Sequence, residues 1–472
     1  MEISAATQEY IDQLVKKARE AQAVYASFDQ EGLNRTARAA ARCVYDNAEI
    51  FAKEAVEETG MGTVEGKILK QRAAMTTQWC YTKDKISTGV VGWEQGKLDV
   101  DCILKIAKPI GVISAVQPVT NPTTCFGGNA MYALKSGNAI IICPHPRAKN
   151  VSNHCGQLMR EAIVKAGAPA DLVQVIEEPS IEMTAAAMAA CDVVIATGGP
   201  GMVKAANSSG KPSLGVGQGN CQVVIDKGMQ DYFDSLAEGA IENRIWDSGI
   251  PCTGEQTVIM PEEDAEAIVA AFVKHGAMVI KEEETVAKLR NLLFEEKGGS
   301  YRANPDYVGQ SVQTIGKAIG LDVPAEVKSF FVEIHKYGKD ELLCKEKMCP
   351  VTNYITYSGD WAEGVAIAKA NLLNEGAGHS SDIYTLNKEH QRYAGLELPV
   401  CRLIVNNNNG IIGGEPYYTN GIIATTGLGC GYWQQNVLGE NLTFEHLLNY
   451  TRLFYTVPGK ESPTEAEIWK EI

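Results

Sequence analysis

Apolar positions recur at helical spacing near the amino terminus, first at Tyr10, Ile11, Leu14, Val15 and Ala18, then at Ala37, Ala40, Ala41, Val44 and Tyr45. This period predicts two or three amphipathic helices between residue 5 and about residue 60. After Gly89 the pattern changes to two β-like runs, Gly89 to Trp93 and Leu98 to Ile106, on either side of Glu94-Gln95-Gly96-Lys97, which suggests a hairpin. Continuous apolar runs then alternate with helical stretches. Gly111 to Val116, Ala139 to Ile142, Leu172 to Ile176 and Asp192 to Ala196 read as strands, with helices up to about Lys135 and over 151–167 between them. Strands apolar on both faces and separated by helices imply a parallel sheet covered on both sides. The second half repeats this alternation, with Cys221 to Asp226, Thr257 to Met260, Asn353 to Tyr357 and Val400 to Val405 as strand candidates and 262–275, 285–297 and Trp361 to Leu373 as helices. The tail after Gly429-Cys430-Gly431 is polar and aromatic, and its Gly-rich segments read as loops.

Composition narrows the class. With 472 residues there is room for two or three domains. Mean hydropathy is −0.13, and no apolar run approaches the ~18–20 residues that span a membrane. The start of the chain leads into a charged helix without the apolar segment of a signal peptide, so a cytoplasmic address is expected. A net charge of −15 with no basic tract argues against nucleic acid and anionic membranes as partners. Thirteen scattered cysteines without Cys-x-x-Cys pairs read as reduced thiols, and no metal site is expected.

One cysteine stands apart. Asp247-Ser248-Gly249-Ile250-Pro251-Cys252-Thr253-Gly254 places Cys252 on a short Gly/Pro turn before the strand at Thr257, where Gly249 and Gly254 allow unusual backbone angles and Pro251 fixes φ. A thiolate held there attacks a carbonyl carbon well, and oxidation of the adduct gives a thioester. Asn121, in Thr120-Asn121-Pro122 after a strand, has an amide able to donate to a developing oxyanion; alone it reads as a turn residue. Ala196-Thr197-Gly198-Gly199-Pro200-Gly201 follows a strand and opens a helix, as suits a pyrophosphate, although it is not the G-x-G-x-x-G fingerprint. Past the strand at Ile142, His145-Pro146-Arg147-Ala148-Lys149 puts two cations where parallel sheets bind ligands. Glu346 is either a carboxylate for ribose hydroxyls or part of a solvated charge run.

Taken in order, these motifs resemble the aldehyde dehydrogenase superfamily, specifically its coenzyme-A-acylating branch. The resemblance runs from Ala55-Val56-Glu57-Glu58-Thr59-Gly60-Met61-Gly62 through Thr120-Asn121-Pro122, Pro144 to Lys149, Ala196 to Gly201 and Gly217-Gln218-Gly219-Asn220 to Gly376-Ala377-Gly378-His379 and Leu428 to Gly431. It implies two parallel-sheet α/β domains with a small β oligomerisation arm. The dinucleotide domain is expected over 1–87 and 107–225, the catalytic domain over 226–408, and the arm and C-terminal segment over 88–106 and 409–472. The resemblance makes Cys252 the nucleophile and Asn121, with the backbone N–H of Cys252, the oxyanion hole. Thr120, His145, Pro146, Arg147, Lys149, Thr197, Gly198, Gly199, Gly217 and Glu346 would hold NAD or NADP.

One departure is informative. Where hydrolytic relatives carry a Glu-Leu-Gly-Gly run whose glutamate activates water, this chain has Gly215-Val216-Gly217-Gln218-Gly219-Asn220 without a carboxylate. The thioester should then survive for another thiol, with coenzyme A the implied acceptor. His379 either assists thiol proton transfer or packs. For the aldehyde's distal end the cations at hand are Lys67, Lys70 and Arg72, with Arg72 suited to bidentate pairing, and Thr253 supplies a hydroxyl. A small anionic aldehyde, succinate semialdehyde or sulfoacetaldehyde, is expected, with acetaldehyde or propionaldehyde as the competitor. A homodimer or dimer of dimers is expected. The rival readings are a hydrolytic enzyme, an acyl-phosphate reductase and a non-catalytic binding protein.

Overall fold

The computed structural model describes residues 3–410 and 420–470, so residues 411–419 and 471–472 of the expected C-terminal segment lie outside the described residues. Helices α1 (Ala5–Tyr25), α2 (Gln30–Asp46), α3 (Ala48–Thr59) and α4 (Val64–Thr82) open the chain. Ser4, Asp29 and Thr63 cap α1, α2 and α4, each accepting from a backbone N–H of the first turn. Their apolar stripes, among them Ile11, Ala18, Tyr25, Ala37, Val44 and Phe51, face the first core.

That core belongs to a parallel sheet of β3 (Val112–Val116), β4 (Ala139–Cys143), β5 (Val173–Val175), β6 (Val193–Thr197) and β7 (Ser213–Val216), ordered β5-β4-β3-β6-β7. β3 and β4 are buried throughout, as continuous apolar runs require. α5 (Pro122–Lys135) crosses between them with every residue buried. Strand order reverses between β3 and β6, so the crevice at their carboxyl ends lies where such sheets bind ligands. The loops holding Asn121 and Thr197 leave from there.

The second sheet is also parallel and runs β10-β13-β14-β9-β8-β15-β16. Its strands are β8 (Cys221–Ile225), β9 (Glu255–Pro261), β10 (Ala277–Ile280), β13 (Ser329–Glu333), β14 (Val351–Tyr357), β15 (Gly378–Tyr384) and β16 (Val400–Val405). A hairpin of β11 (Phe294–Lys297) and β12 (Ser300–Ala303) projects from it. β8 bonds to β9 and β15, so the crossing between sheets falls at residues 217–220, ahead of the expected boundary at 225. The helix expected over 285–297 ends at Leu293, and its last residues pair as β11.

The arm is a three-stranded antiparallel sheet of β1 (Gly89–Glu94), β2 (Ile103–Pro109) and β17 (Leu448–Phe454). β2 starts at Ile103 and not at Leu98, because Asp99 takes a positive φ of 54° in the intervening turn. The polar and aromatic tail supplies β17, a strand for which no expectation was drawn, pairing with β2 from Leu448 to Phe454. Among the described residues no helix is long and apolar enough to cross a membrane, and no group of three or more His, Cys, Asp or Glu is placed to hold a metal ion.

Candidate active site

Four adjacent strands of the second sheet, β14, β9, β8 and β15, begin on one edge, and the residues just before or at their starts include Glu346, Cys252, Gly219 and His379. Cys252 follows a tight turn in which Asp247 and Ser248 have φ of 46° and 55°. Non-glycine residues hold such angles only when their surroundings impose them, and here the Asp247 carboxylate is pinned. It accepts from Thr63 N at 3.0 Å, from Lys67 Nζ at 3.2 Å and from Lys70 Nζ. Gly249 has the positive φ expected of it, 76°. Gly254 does not; a side chain there would meet the Arg244 guanidinium at 2.8 Å, so it is small for want of space.

The Cys252 thiol, partly buried, lies 3.2 Å from His379 Nε2. Burial raises its pKa above the ordinary thiol value, as do Glu346, Cys430 and Cys125, against Arg402. His379 is fully buried, and burial with Arg402 nearby pushes it down to about 3, so the imidazole is neutral. Its Nδ1 meets Ser380 Oγ at 2.8 Å, and that hydroxyl meets Cys221 Sγ at 3.2 Å. Cys221 Sγ in turn lies 3.5 Å from the carbonyl oxygen of Cys252. Ser380 and Cys221 were not singled out from sequence. The strand β15 that carries His379 and Ser380 reads Gly-His-Ser-Ser-Asp-Ile-Tyr, too polar to register as a buried run although all of it is buried.

Gly217 to Asn220 pass directly over this turn. A side chain at Gly219 would strike the Cys252 carbonyl, and one at Gly217 the Gln434 amide. Gln218 N donates to Gln434 Oε1 at 3.0 Å, and Asn220 Nδ2 donates to the carbonyls of Cys344 at 2.8 Å and Glu375 at 2.9 Å. Glu346 is buried beside this strap; burial and Glu375 push its carboxyl up to about 8, against Arg244, Gln218 and the Gly219 N–H. Arg244 lies under the turn, fully buried, with none of its three nitrogens hydrogen-bonded.

From the first sheet, Asn121 caps α5 without a side-chain cap bond, its Nδ2 3.2 Å from Thr120 Oγ1 and its buried Oδ1 unpartnered. Lys67 Nζ also donates to Thr120 O at 3.3 Å, so one ammonium ties the Asn121 loop to the Cys252 turn. Thr253 is buried next to Cys252, its carbonyl accepting from Asn243 Nδ2 at 3.0 Å. Arg72 is not brought to the site. It pairs with Glu49 at 3.0 Å and lies over the Tyr45 ring, because at 3.6 residues per turn it points about 200° around α4 from Lys70. Lys67 and Lys70 are the inward cations, buried with a single carboxylate between them. Burial pushes Lys67 down to about 8, as does Lys70, against Asp247.

At the crevice between β3 and β6, Thr197 ends β6 and Gly199 caps α6 (Pro200–Asn207), where an added side chain at Gly199 or Gly201 would meet nothing within 4 Å. That open backbone suits the close approach of a phosphate. His145 Nδ1 accepts from Arg147 N at 3.1 Å in the turn that begins at Pro146. Arg147 donates to Thr59 O at 3.0 Å, and Lys149 pairs with Glu178 at 2.5 Å.

Residues 1–285 match the family described as the aldehyde dehydrogenase family. The chain is 43% identical to the succinate-semialdehyde dehydrogenase (acetylating) of Clostridium kluyveri, over 97% of this chain and 98% of that one. It is 36% identical to the sulfoacetaldehyde dehydrogenase of an Acholeplasma species, over 96% and 92% of the two chains. A crystal structure of an acetylating aldehyde dehydrogenase from Geobacillus thermoglucosidasius superimposes with a TM-score of 0.89 at 30% identity, over 98% of this chain and 99% of that one.

Proposed function

The chain belongs to the aldehyde dehydrogenase family, in its coenzyme-A-acylating branch, and on that premise we propose that it converts a small anionic aldehyde, coenzyme A and NAD(P)+ to the acyl-CoA, NAD(P)H and a proton, reversibly. The observation that carries the reading is the pairing of Cys252 with a buried, neutral His379 at 3.2 Å, under a glycine strap that brings no carboxylate.

Cys252 is the nucleophile. Its sulfur bonds to the aldehyde carbon while the carbonyl electron pair moves to oxygen, and the thiol proton goes to His379 Nε2. Asn121 Nδ2, whose one bond is a long contact to Thr120, is free to turn to that oxygen. NAD or NADP, when bound, accepts the hydride; Thr197, Gly198 and Gly199 would hold its pyrophosphate, Thr120, His145, Pro146, Arg147 and Lys149 would line the same crevice, and Gly217 and Glu346 would lie at the nicotinamide end. The resulting thioester on Cys252 needs a base to hydrolyse. Glu346, pushed up to about 8, is mostly protonated at neutral pH and a poor base for water, whereas a thiol, far more acidic than water, loses its proton readily: its sulfur bonds to the acyl carbon, the bond to Cys252 breaks, and Cys252 leaves with the electron pair and takes up a proton. Coenzyme A is that thiol.

The substrate class is read from Lys67 and Lys70. Two buried ammonium groups share one carboxylate and leave a net positive charge beside the Cys252 turn, which a carboxylate or sulfonate on the aldehyde offsets. Succinate semialdehyde and sulfoacetaldehyde fit; acetaldehyde and propionaldehyde leave the charge uncompensated. The arm carries exposed Trp93, Phe454 and Tyr455, which supports pairing with a second copy of the chain.

The test is nicotinamide reduction with anionic and neutral aldehydes, with and without coenzyme A, alongside Cys252→Ala. The expected result is activity that requires both coenzyme A and Cys252 and favours the anionic aldehydes. Equal turnover without coenzyme A would overturn the acylating reading, and equal kcat/KM for propionaldehyde the substrate reading.

A further inference from the structure

We propose that Ser380 and Cys221 are positioning residues that hold His379 in the one tautomer able to take the Cys252 proton, through a ring of hydrogen bonds that starts and ends on Cys252. The proposal rests on the reading of Cys252 as nucleophile and His379 as its base. Four links close the ring: Cys252 Sγ to His379 Nε2 at 3.2 Å, His379 Nδ1 to Ser380 Oγ at 2.8 Å, Ser380 Oγ to Cys221 Sγ at 3.2 Å, and Cys221 Sγ to the Cys252 carbonyl oxygen at 3.5 Å.

Four of the five groups in the ring can point either way, and the fifth cannot. A backbone carbonyl only accepts, so Cys221 must give it the S–H. The Cys221 sulfur is then left to accept, and takes the Ser380 O–H. The Ser380 oxygen accepts Nδ1–H from His379, and Nε2 is left with its lone pair facing the Cys252 thiol. In the reverse direction the carbonyl would face a sulfur whose proton points elsewhere, in a site where Cys221, Ser380 and His379 are all fully buried and water cannot substitute. Sulfur bonds are individually weak, but they need only bias two tautomers of a neutral ring.

A neutral imidazole carries one proton, so which nitrogen holds it decides whether the base works. The groups facing Cys252 from the neighbouring elements are Glu346, Cys430, Cys125 and Arg402, and Arg402 also faces His379. None of them contacts Nδ1, which leaves tautomer control to Ser380. Because burial keeps the thiol protonated and the imidazole neutral, transfer accompanies attack: the S–H bond breaks, sulfur keeps its electron pair, and the proton forms Nε2–H.

The experiment measures Cys252 alkylation by iodoacetamide from pH 6 to 9 in the full-length protein, with kcat, KM and Tm, for Ser380→Ala, Ser380→Thr, Cys221→Ala and Cys221→Ser. Loss of a positioned base costs at least tenfold. Ser380→Ala is expected to slow alkylation at pH 7 and lower kcat by about tenfold with KM within about twofold, and Ser380→Thr to restore both. Cys221→Ala is expected to give a smaller loss that Cys221→Ser repairs. Alkylation of Ser380→Ala at the wild-type rate or faster would overturn the proposal, as would Ser380→Thr no better than Ser380→Ala at equal Tm. Alkylation needs neither aldehyde nor coenzyme A, so it separates failure of this ring from failure of the acylating reading.

Discussion

Gly219→Ala adds one methyl group to the strap over the nucleophile. That carbon would stand 3.0 Å from both the carbonyl carbon and the Cβ of Cys252, and nearer still to the carbonyl oxygen. Carbon atoms rest about 3.5–4.0 Å apart, so the strap or the turn must yield by about 0.5–1 Å. The strap is not free to move. Asn220 is fixed to the carbonyls of Cys344 and Glu375, and Gln218 is bonded at both its N–H and its carbonyl to Gln434. The displacement therefore falls on Cys252, lengthening its 3.2 Å approach to His379. A misplacement of about 1 Å costs roughly 10²-fold in rate, or about 2.7 kcal/mol of barrier. Overpacking of this kind also costs about 1–3 kcal/mol of stability. The assay is the pre-steady-state rate of NAD(P)H formation at saturating aldehyde, with a Tm measured on the same samples. A rate within about threefold of wild type at unchanged Tm would show that the strap yields freely, and the reasoning would be wrong.

Other outcomes follow from the same geometry. Asn121→Ala should lower kcat by about 10²–10³-fold with Tm nearly unchanged, since the side chain gives up one 3.2 Å contact to Thr120; an unchanged kcat would remove it from the oxyanion hole. Lys70→Met leaves Asp247 held by Lys67 and Thr63 alone and should slow both aldehydes, but it should lower kcat/KM for succinate semialdehyde about 10-fold more than for propionaldehyde, while Arg72→Ala alters neither; equal losses on both aldehydes would refute the anion pocket. Glu346 is raised to about 8, so the folded chain holds that proton more tightly than the unfolded one. Its contribution is complete below the ordinary carboxylate pKa and is lost as pH rises through about 8. The Tm of Glu346→Gln relative to wild type should therefore climb between pH 5 and 9, and a flat difference curve would contradict the assignment.

The sequence was most legible where a feature is local. Cys252 stands out because a Gly/Pro turn before a strand is visible within ten residues, and the strands of the first sheet because apolar runs buried on both faces need no partner to be recognised. β15 was not legible. Its buried His379, Ser380, Ser381 and Asp382 are satisfied by neighbours far along the chain, and polarity alone reads as exposure. β17 was missed for a similar reason, since its pairing with β2 spans some 340 residues of sequence. Arg72 is a different case: the phase of α4 already separates it from Lys70, but which side of the helix faces the site depends on Asp247, nearly 180 residues away. The glycines at 217 and 219 were legible as a departure from a family pattern, while their physical reason, clearance for Gln434 and Cys252, is visible only in three dimensions.

The crossing from β7 to β8 is at once the link between the two sheets and the strap lying on Cys252. The same four residues therefore serve both sheets and the Cys252 turn at once. One short segment thereby ties the spacing of the sheets to the clearance over the Cys252 backbone, and a change in either is felt by the other.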